Sequence, residues 1–437
     1  MSALVSFYGD DFTGASENLA QFHRHGLRAR LYFEPADHAR VRAEAAELDV
    51  VGIAGVARSR APAEMRDLLA DAFSLFVLLG APLNQYKICS TFDSAPEVGN
   101  FAVALEVARR FWPDAIAPVL ASTPDFGRYT AFSNLFSIYR QAILRLDRNP
   151  ALTNHPSTPM TEADLRRHLH ALGAPAPGAI MLPELAQGVD ALADLLENRG
   201  ADGASVVLDA VDNDQLRAVC AAIWRLQKRR NVFCLAAQGL PQGGGGLIAA
   251  ELGREPPAAS RGAAPSGPGL VLSGSCADQT AVQLAAAAEA GWEMVHLPPA
   301  QLRSEDDVAR AVAAAAPRVI EALSTGRSVA VFTARGAATE DFDPARAGAV
   351  GGALAGLFRA AVKKAGVRRA IFAGGDSSSY AMRTSGAYAL EIAAFAGLHS
   401  SHACRLIADD ELDGVEVVLK GGQAGGDDFF LQPLGGA

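Results

Sequence analysis

The chain reads as an α/β protein of two domains, each a mostly parallel sheet covered by helices, with a cleft between them. Three observations carry this. Short apolar runs alternate with longer helical patterns from end to end, which is how strands and crossover helices alternate in a parallel sheet. The 437 residues suffice for two domains of ordinary size. A stretch rich in Pro, Ala, Gly and Ser, Arg254 to Gly269, separates two such alternating runs. The expected division is 1–252, a linker at 253–269, and 270–437.

In the first run, Leu4–Gly9 leads directly into Asp10-Asp11-Phe12-Thr13-Gly14-Ala15. A helix is expected next, with Thr13 as cap, Glu17 in its first turn and Gly26 after its last. Strands follow at Val50–Gly55, Tyr86–Ser90, Ile116–Ala121, Ala179–Leu182 and Val206–Asp209. Near Gln242 the alternation breaks, and Gly243 to Gly246 are consecutive glycines. The second run has strands at Leu270–Leu272, Val329–Thr333, Ala370–Ala373 and Val415–Leu419.

Half of the residues are hydrophobic and 7% are aromatic, so the core is built from Ala, Leu and Val. A net charge of −9 argues against a nucleic-acid surface. Asp10 and Asp11 interrupt the first apolar run, so no signal peptide is expected. No membrane span is expected either. The five scattered cysteines read as reduced thiols of a cytoplasmic protein, not a disulfide framework.

Chemistry-bearing residues sit at strand ends, where open α/β sheets bind their ligands. Two adjacent carboxylates, Asp10 and Asp11, follow the first strand. A helix cap accounts for one of them, and nothing in the spacing says which. Arg58 and Arg60 follow the next strand, where a guanidinium can clamp a carboxylate through two parallel hydrogen bonds or simply face water. Lys87 stands inside a strand-like segment, followed by Ser90, Thr91, Asp93 and Ser94, a set of groups suited to a polyol. An edge strand with a snorkelling lysine fits the same pattern.

In the second domain three strands end in Gly/Ser loops. These are Ser273-Gly274-Ser275, Gly374-Gly375-Asp376-Ser377 and Lys420-Gly421-Gly422. Such loops let backbone N–H groups approach a phosphate. Neither a Walker-type loop nor a dinucleotide fingerprint is present, which counts against a dehydrogenase. His399, His402 and Cys404 lack a second cluster at metal-ligand spacing and read as ordinary loop residues. No metal ligands are assigned.

Together these residues resemble the four-carbon acid sugar kinase family. The resemblance rests on Asp10-Asp11-Phe12-Thr13-Gly14-Ala15, Ser59-Arg60, Lys87 with Ser90-Thr91, Gly127-Arg128, Thr158-Pro159, Asp209-Ala210, Ser273-Gly274-Ser275 with Thr280 and Gln283, Gly374 to Ser377, and Lys420-Gly421-Gly422. It covers essentially the whole chain. It implies an ATP- and Mg²⁺-dependent kinase acting on a primary hydroxyl of threonate, erythronate or 3-oxo-tetronate. The N-terminal domain would bind the sugar acid through Asp10, Asp11, Arg60, Lys87, Ser90 and Thr91, with Asp10 or Asp11, or in their place Asp376 or Asp93, handling the hydroxyl. The C-terminal domain would bind the nucleotide through Ser273, Ser275, Gly374, Gly375, Asp376, Ser377, Gly421 and Gly422. A homodimer is compatible with this; nucleic-acid and membrane partners are not expected.

One segment departs from the family pattern. Tetronate kinases carry Lys-x-Asp-Ser-Thr-Leu-Arg-Gly, where this chain has Cys89 for the Asp and Asp93-Ser94 for Arg-Gly. The variant resembles the branch that phosphorylates the branched acid 3-oxo-isoapionate. The competing expectation is a non-catalytic sugar-acid or nucleotide-binding regulatory protein on the same scaffold.

Overall fold

The computed structural model describes residues 3–154, 158–257, 267–336, 346–398 and 401–432. The chain divides into two compact units, one of residues 1–31 and 35–257, the other of 258–437 with Tyr32–Glu34. Residues 258–266 of the expected linker lie outside the described residues.

Eleven strands lie in the first unit, except that the last two residues of the second strand belong to the other unit. They are β1 (Val5–Gly9), β2 (Ala29–Phe33), β3 (Val50–Ala54), β4 (Leu83–Lys87), β5 (Ala117–Leu120), β6 (Arg128–Ala131), β7 (Asn134–Tyr139), β8 (Ala142–Arg145), β9 (Gly178–Ile180), β10 (Ser205–Leu208) and β11 (Val232–Ala236). Eight of them order as β2-β3-β1-β4-β11-β5-β10-β9. The pairings of β1 with β3 and β4, of β11 with β4 and β5, and of β10 with β5 and β9 are all parallel. Central strands such as β1, β3 and β11 are buried along their whole length, as strands covered on both faces must be. Phe73 packs on Phe111, Trp112 and Phe233 in the core beneath.

The remaining strands form a small antiparallel sheet, β6-β7-β8, which sequence periodicity did not reveal. Its two tight turns use Phe132-Ser133 and Arg140-Gln141, all four at positive φ. Such turns ordinarily take Asn or Gly. The first is held by Asp209, whose carboxylate accepts from the backbone N–H of Phe132 (2.6 Å) and Ser133 (2.9 Å), and from Leu182 (3.0 Å).

Three local expectations change. The first helix, Phe12–His23, is capped by Asp11 and not by Thr13; the Asp11 side chain accepts from the Gly14 N–H. Strand β4 begins three residues before Tyr86 and ends at Lys87, and it is a central strand, not an edge. The four glycines at 243–246 lie inside the helix Gly239–Glu251 and break nothing. Close packing explains them. A Cβ on Gly243 would lie 2.9 Å from the Cys220 sulfur, and one on Gly245 would lie 2.5 Å from the His25 ring. Each glycine costs about 1 kcal/mol of helix propensity relative to Ala, which this close approach offsets.

The second unit contains β12 (Leu270–Ser273), β13 (Glu293–His296), β14 (Val329–Phe332), β15 (Arg369–Ala373), β16 (Ala389–Ala394), β17 (Ala403–Ile407) and β18 (Glu416–Lys420). Their order is β13-β14-β12-β15-β18-β17-β16. The first five are parallel, and β17 pairs antiparallel with both β18 and β16. The helices Asp278–Glu289 and Gly375–Thr384 follow β12 and β15. No described helix is long and apolar enough to cross a membrane.

Candidate active site

In the first unit the parallel ladder continues past the strand ends and gathers three charged residues. The Asp10 N–H donates to the Lys87 carbonyl (3.1 Å), and the Arg58 N–H donates to the Asp10 carbonyl (3.0 Å). The short 3-10 turn Ala57–Ser59 then turns the Arg58 side chain back over the aspartate pair.

Arg58 donates to both carboxylates. Nη2 reaches Asp10 Oδ1 at 2.7 Å and Asp11 Oδ1 at 3.0 Å; Nε reaches Asp10 Oδ2 at 3.3 Å and Nη1 reaches Asp11 Oδ2 at 3.0 Å. One guanidinium thus bridges two neighbouring acids and offsets part of their mutual repulsion. The two acids differ in access: the Asp10 side chain is fully buried, while that of Asp11 keeps 27% of its surface exposed. Burial raises the Asp10 pKa to about 6 against the opposing pull of Arg58. The same two carboxylates hold Arg58 well above its ordinary value.

Lys87 is buried, and its Nζ donates to the Ile88 carbonyl at 2.6 Å. Gly14 makes room beside it. A Cβ there would lie 2.3 Å from Asp11 Oδ1 and 2.9 Å from Lys87 Nζ. After β4 the chain passes through Phe92 at φ +60, whose ring is anchored edge-on against Phe101 at 4.9 Å. That twist aligns three side chains: Cys89 Sγ lies 2.8 Å from Thr91 Oγ1, which donates to Asp93 Oδ1 at 2.7 Å. Burial pushes the Cys89 thiol up to about 11, so it is no thiolate nucleophile at neutral pH. Ser90 stands half-buried in the same loop.

Asp10, Asp11, Lys87 and the 89–93 loop therefore converge on one edge. Arg60 is placed differently: it forms an i,i+4 ion pair with Glu64 at 3.4 Å, on a glutamate whose side chain is 59% exposed. Arg58, two residues earlier, is the guanidinium that meets the aspartates.

In the second unit the three Gly/Ser loops converge at the carboxyl ends of the adjacent strands β12, β15 and β18. A Cβ on Gly274 would lie 2.3 Å from Ser377 Oγ, and one on Gly422 would lie 2.8 Å from Ser275 Oγ. Gly374 adopts φ +115, a conformation natural only to glycine. Gly375 and Gly421 have nothing within 4 Å of a would-be Cβ, so backbone is exposed to open space there. The Ser273 hydroxyl accepts from the Ser275 N–H at 3.3 Å. Neither following helix has a side-chain cap, which leaves N-terminal N–H groups for an anion. The side chain of Asp376 lies outside the described residues.

Lys420, the last residue of β18, opens the Lys420-Gly421-Gly422 motif, whose pattern alone assigns the lysine no role. Its Nζ is buried and donates to Thr280 Oγ1 (3.3 Å) and to the carbonyls of Gly421 and Gly422 (both 3.1 Å). No carboxylate among the described residues pairs with it, and burial lowers its pKa to about 8. Gln283 braces the same loop by donating to the carbonyls of Ala424 (3.1 Å) and Gly426 (2.8 Å). The signal that could have found Lys420 is the kind that singled out Lys87, a lysine within a strand-like segment.

His402 stacks on Phe395 and accepts from the Ala396 N–H at 3.2 Å, which is a structural role; His399 lies outside the described residues. Among the described residues no group of three or more His, Cys, Asp or Glu could hold a metal ion.

An edge of Gly/Ser loops in one unit and a cluster of charged and hydroxyl groups in the other are the donor sets that a two-domain phosphotransferase needs. Comparison with known proteins agrees. Residues 5–243 match the sugar-binding N-terminal domain family, and residues 270–430 the nucleotide-binding C-terminal domain family. The chain belongs to the four-carbon acid sugar kinases that combine these two domains. It is 34% identical to the 3-oxo-isoapionate kinase of Paraburkholderia graminis, over 98% of this chain and 93% of that one. It is 30% identical to the 3-oxo-tetronate kinase of Methylobacterium radiotolerans, over 99% of each chain. Among solved structures, a Salmonella typhimurium protein described as a tRNA synthase aligns with a TM-score of 0.76 at 22% identity, over 99% of this chain and 98% of that one. A Haemophilus influenzae protein aligns at 0.71 and 21%, over 98% of each. At these identities the structural matches speak to fold alone.

Proposed function

We propose that the protein transfers the terminal phosphoryl group of MgATP to a primary hydroxyl of a small sugar acid, and that this acid is 3-oxo-isoapionate rather than a linear tetronate. The observation that carries the reading is the division of labour within the aspartate pair. A buried Asp10 fixes Arg58, and Arg58 fixes an accessible Asp11 at the edge of a sugar-binding domain.

The donor set of the second unit fits a polyphosphate. It offers two uncapped helix N-termini, open backbone at Gly375 and Gly421, and an ammonium with no carboxylate partner. Bound MgATP would supply the phosphoryl group and a cation to shield its oxygens. Phosphoryl transfer asks the protein chiefly for positioning and charge neutralisation. Lys420 neutralises phosphate charge, and Ser273, Ser275, Gly374, Gly375, Ser377, Gly421 and Gly422 shape the cradle. In the first unit Asp11 accepts a hydrogen bond from the acceptor hydroxyl and takes its proton as transfer proceeds. Asp10 is a positioning residue acting through Arg58. Lys87, Ser90 and Thr91 contact the sugar.

The branched substrate is favoured by the higher identity to the 3-oxo-isoapionate kinase, and by the 89–93 loop. There the Cys89–Thr91–Asp93 chain replaces the Asp and Arg-Gly of the tetronate pattern, offering a hydroxyl-reading carboxylate in place of a guanidinium. The test is a coupled ADP-release assay with 3-oxo-isoapionate, 3-oxo-tetronate, threonate and erythronate. Fastest turnover with the first is expected. Preference for a linear acid would overturn the substrate assignment, and ligand binding without ADP release would favour a regulatory protein.

A further inference from the structure

A sugar acid presents a carboxylate, and neither arginine of the Arg58/Arg60 pair is suited to hold it. Arg58 already spends four hydrogen bonds on Asp10 and Asp11. Arg60 pairs with Glu64. A third arginine lies on the same sheet edge. Arg128 opens β6, immediately beyond the carboxyl end of β5. It bridges to Thr123 in antiparallel register: the Thr123 N–H donates to the Arg128 carbonyl at 3.0 Å, and the Arg128 N–H returns to the Thr123 carbonyl at 3.2 Å. Residues paired across such a bridge project their side chains to one face.

Each side chain keeps one buried polar atom without a hydrogen-bond partner. The Arg128 guanidinium donates from Nη1 to the carbonyls of Phe126 (3.0 Å) and Gly127 (3.2 Å), but its buried Nε has no partner. No carboxylate among the described residues lies within ion-pair distance of it. The Thr123 hydroxyl is fully buried and also has no partner. Leaving a buried donor unmet is costly, more so for a charged group, so two on one face point to a missing acceptor. Arg128 interacts electrostatically with Cys89, Asp93 and Tyr129. The first two belong to the Cys89–Thr91–Asp93 chain, so Arg128 is within electrostatic reach of the candidate sugar site. Burial also pulls its pKa below the ordinary guanidinium value, as expected of a cation awaiting a counter-ion.

We infer that Arg128 and Thr123 hold the carboxylate of the sugar acid, Arg128 through Nε and Thr123 through its hydroxyl. The inference rests on the sugar-acid reading above and names the residues that recognise the acid group. Asp93, tied to Thr91, then faces a hydroxyl of the same substrate instead of its carboxylate.

The test is calorimetric binding without nucleotide. The probes are the acid that the wild type phosphorylates fastest and that acid's primary amide. For Arg128→Gln, affinity for the acid falls about 100-fold, the loss of charge-assisted hydrogen bonds, while affinity for the amide changes less than about threefold. Arg128→Lys restores part of the loss, because it keeps the charge without the fork. Thr123→Val, of similar shape, weakens acid binding about tenfold. Two results overturn the assignment: an Arg128→Gln protein that still prefers acid to amide, or one that loses both equally. The second would mean that Arg128 merely supports its hairpin. A wild type that neither binds nor phosphorylates any acid of the panel defeats the functional reading itself, and this inference with it.

Discussion

Nη2 of Arg58 lies 2.7 Å from Oδ1 of Asp10, joining a partly exposed cation to a fully buried acid. The same nitrogen reaches Asp11 at 3.0 Å, so any change at Asp10 is transmitted to Asp11 through one guanidinium. This relationship, more than either acid alone, organises the candidate site.

The buried acid makes stability depend on pH in an unusual direction. The folded-state pKa of Asp10 is raised from 3.8 to about 6, so the native state binds the proton more tightly than the unfolded chain. Its contribution is therefore fully present below pH 3.8 and is lost as pH rises toward 6. Asp10→Asn removes this dependence. Between pH 4 and 7 the variant should gain about 2–3 kcal/mol relative to wild type, from a shift of about two pKa units. Urea denaturation of both proteins at the two pH values checks this through their difference, which cancels other carboxylates. The wild-type kcat/KM should also fall below pH 6 as Arg58 loses its charged anchor.

Asp11 carries two roles that substitution can separate. Asparagine caps helices as well as aspartate does, whereas alanine costs about 1 kcal/mol. Asp11→Asn should keep the helix but lower kcat by about 10²- to 10⁴-fold, the usual worth of a positioned general base. Turnover within threefold of wild type, measured beside a melting curve, would remove Asp11 from the chemistry.

Gly14→Ala offers a stabilising helix residue at a damaging place. Alanine improves propensity by about 1 kcal/mol. Its methyl would nevertheless sit 2.3 Å from Asp11 Oδ1 and 2.9 Å from Lys87 Nζ. The expected outcome is retained or raised Tm with kcat/KM for the sugar acid down about 100-fold, since small misplacements of reacting groups carry that penalty. Equal activity would show that Asp11 and Lys87 relax freely.

Lys420→Met should raise KM for ATP about 10- to 100-fold, leaving sugar-acid affinity unchanged by calorimetry. Wild-type kcat/KM for ATP should decline as pH rises through about 8, where Lys420 loses its proton, and the variant should lack that limb. A persistent limb in the variant would assign it to another group.

Much of this was legible in the chain, and the gaps have physical causes. Strand-end chemistry announced itself because carboxylates, lysines and glycine loops interrupt apolar runs at Asp10, Lys87 and Gly374. The Arg58-for-Arg60 difference was not legible. It depends on how a single 3-10 turn rotates two arginines, and composition is blind to that. The antiparallel β6–β8 sheet escaped because Phe132-Ser133 and Arg140-Gln141 carry no turn signature; a carboxylate 76 residues away, Asp209, steadies the first of them. The glycines at 243–246 misled for the opposite reason. They look like a breaker, but long-range packing on Cys220 and His25 is what they serve.

The two buried lysines share one arrangement. Lys87 and Lys420 each end a strand, and each holds its ammonium on carbonyls of the turn that follows. The resting protein is therefore its own competitor for both cations. A ligand oxygen captures either lysine only by outbidding backbone carbonyls, which neutral hydroxyls do poorly and anionic oxygens do well. The loops thus act as thresholds: they turn away uncharged polyols and nucleosides before any shape is compared, and yield to acids and phosphates.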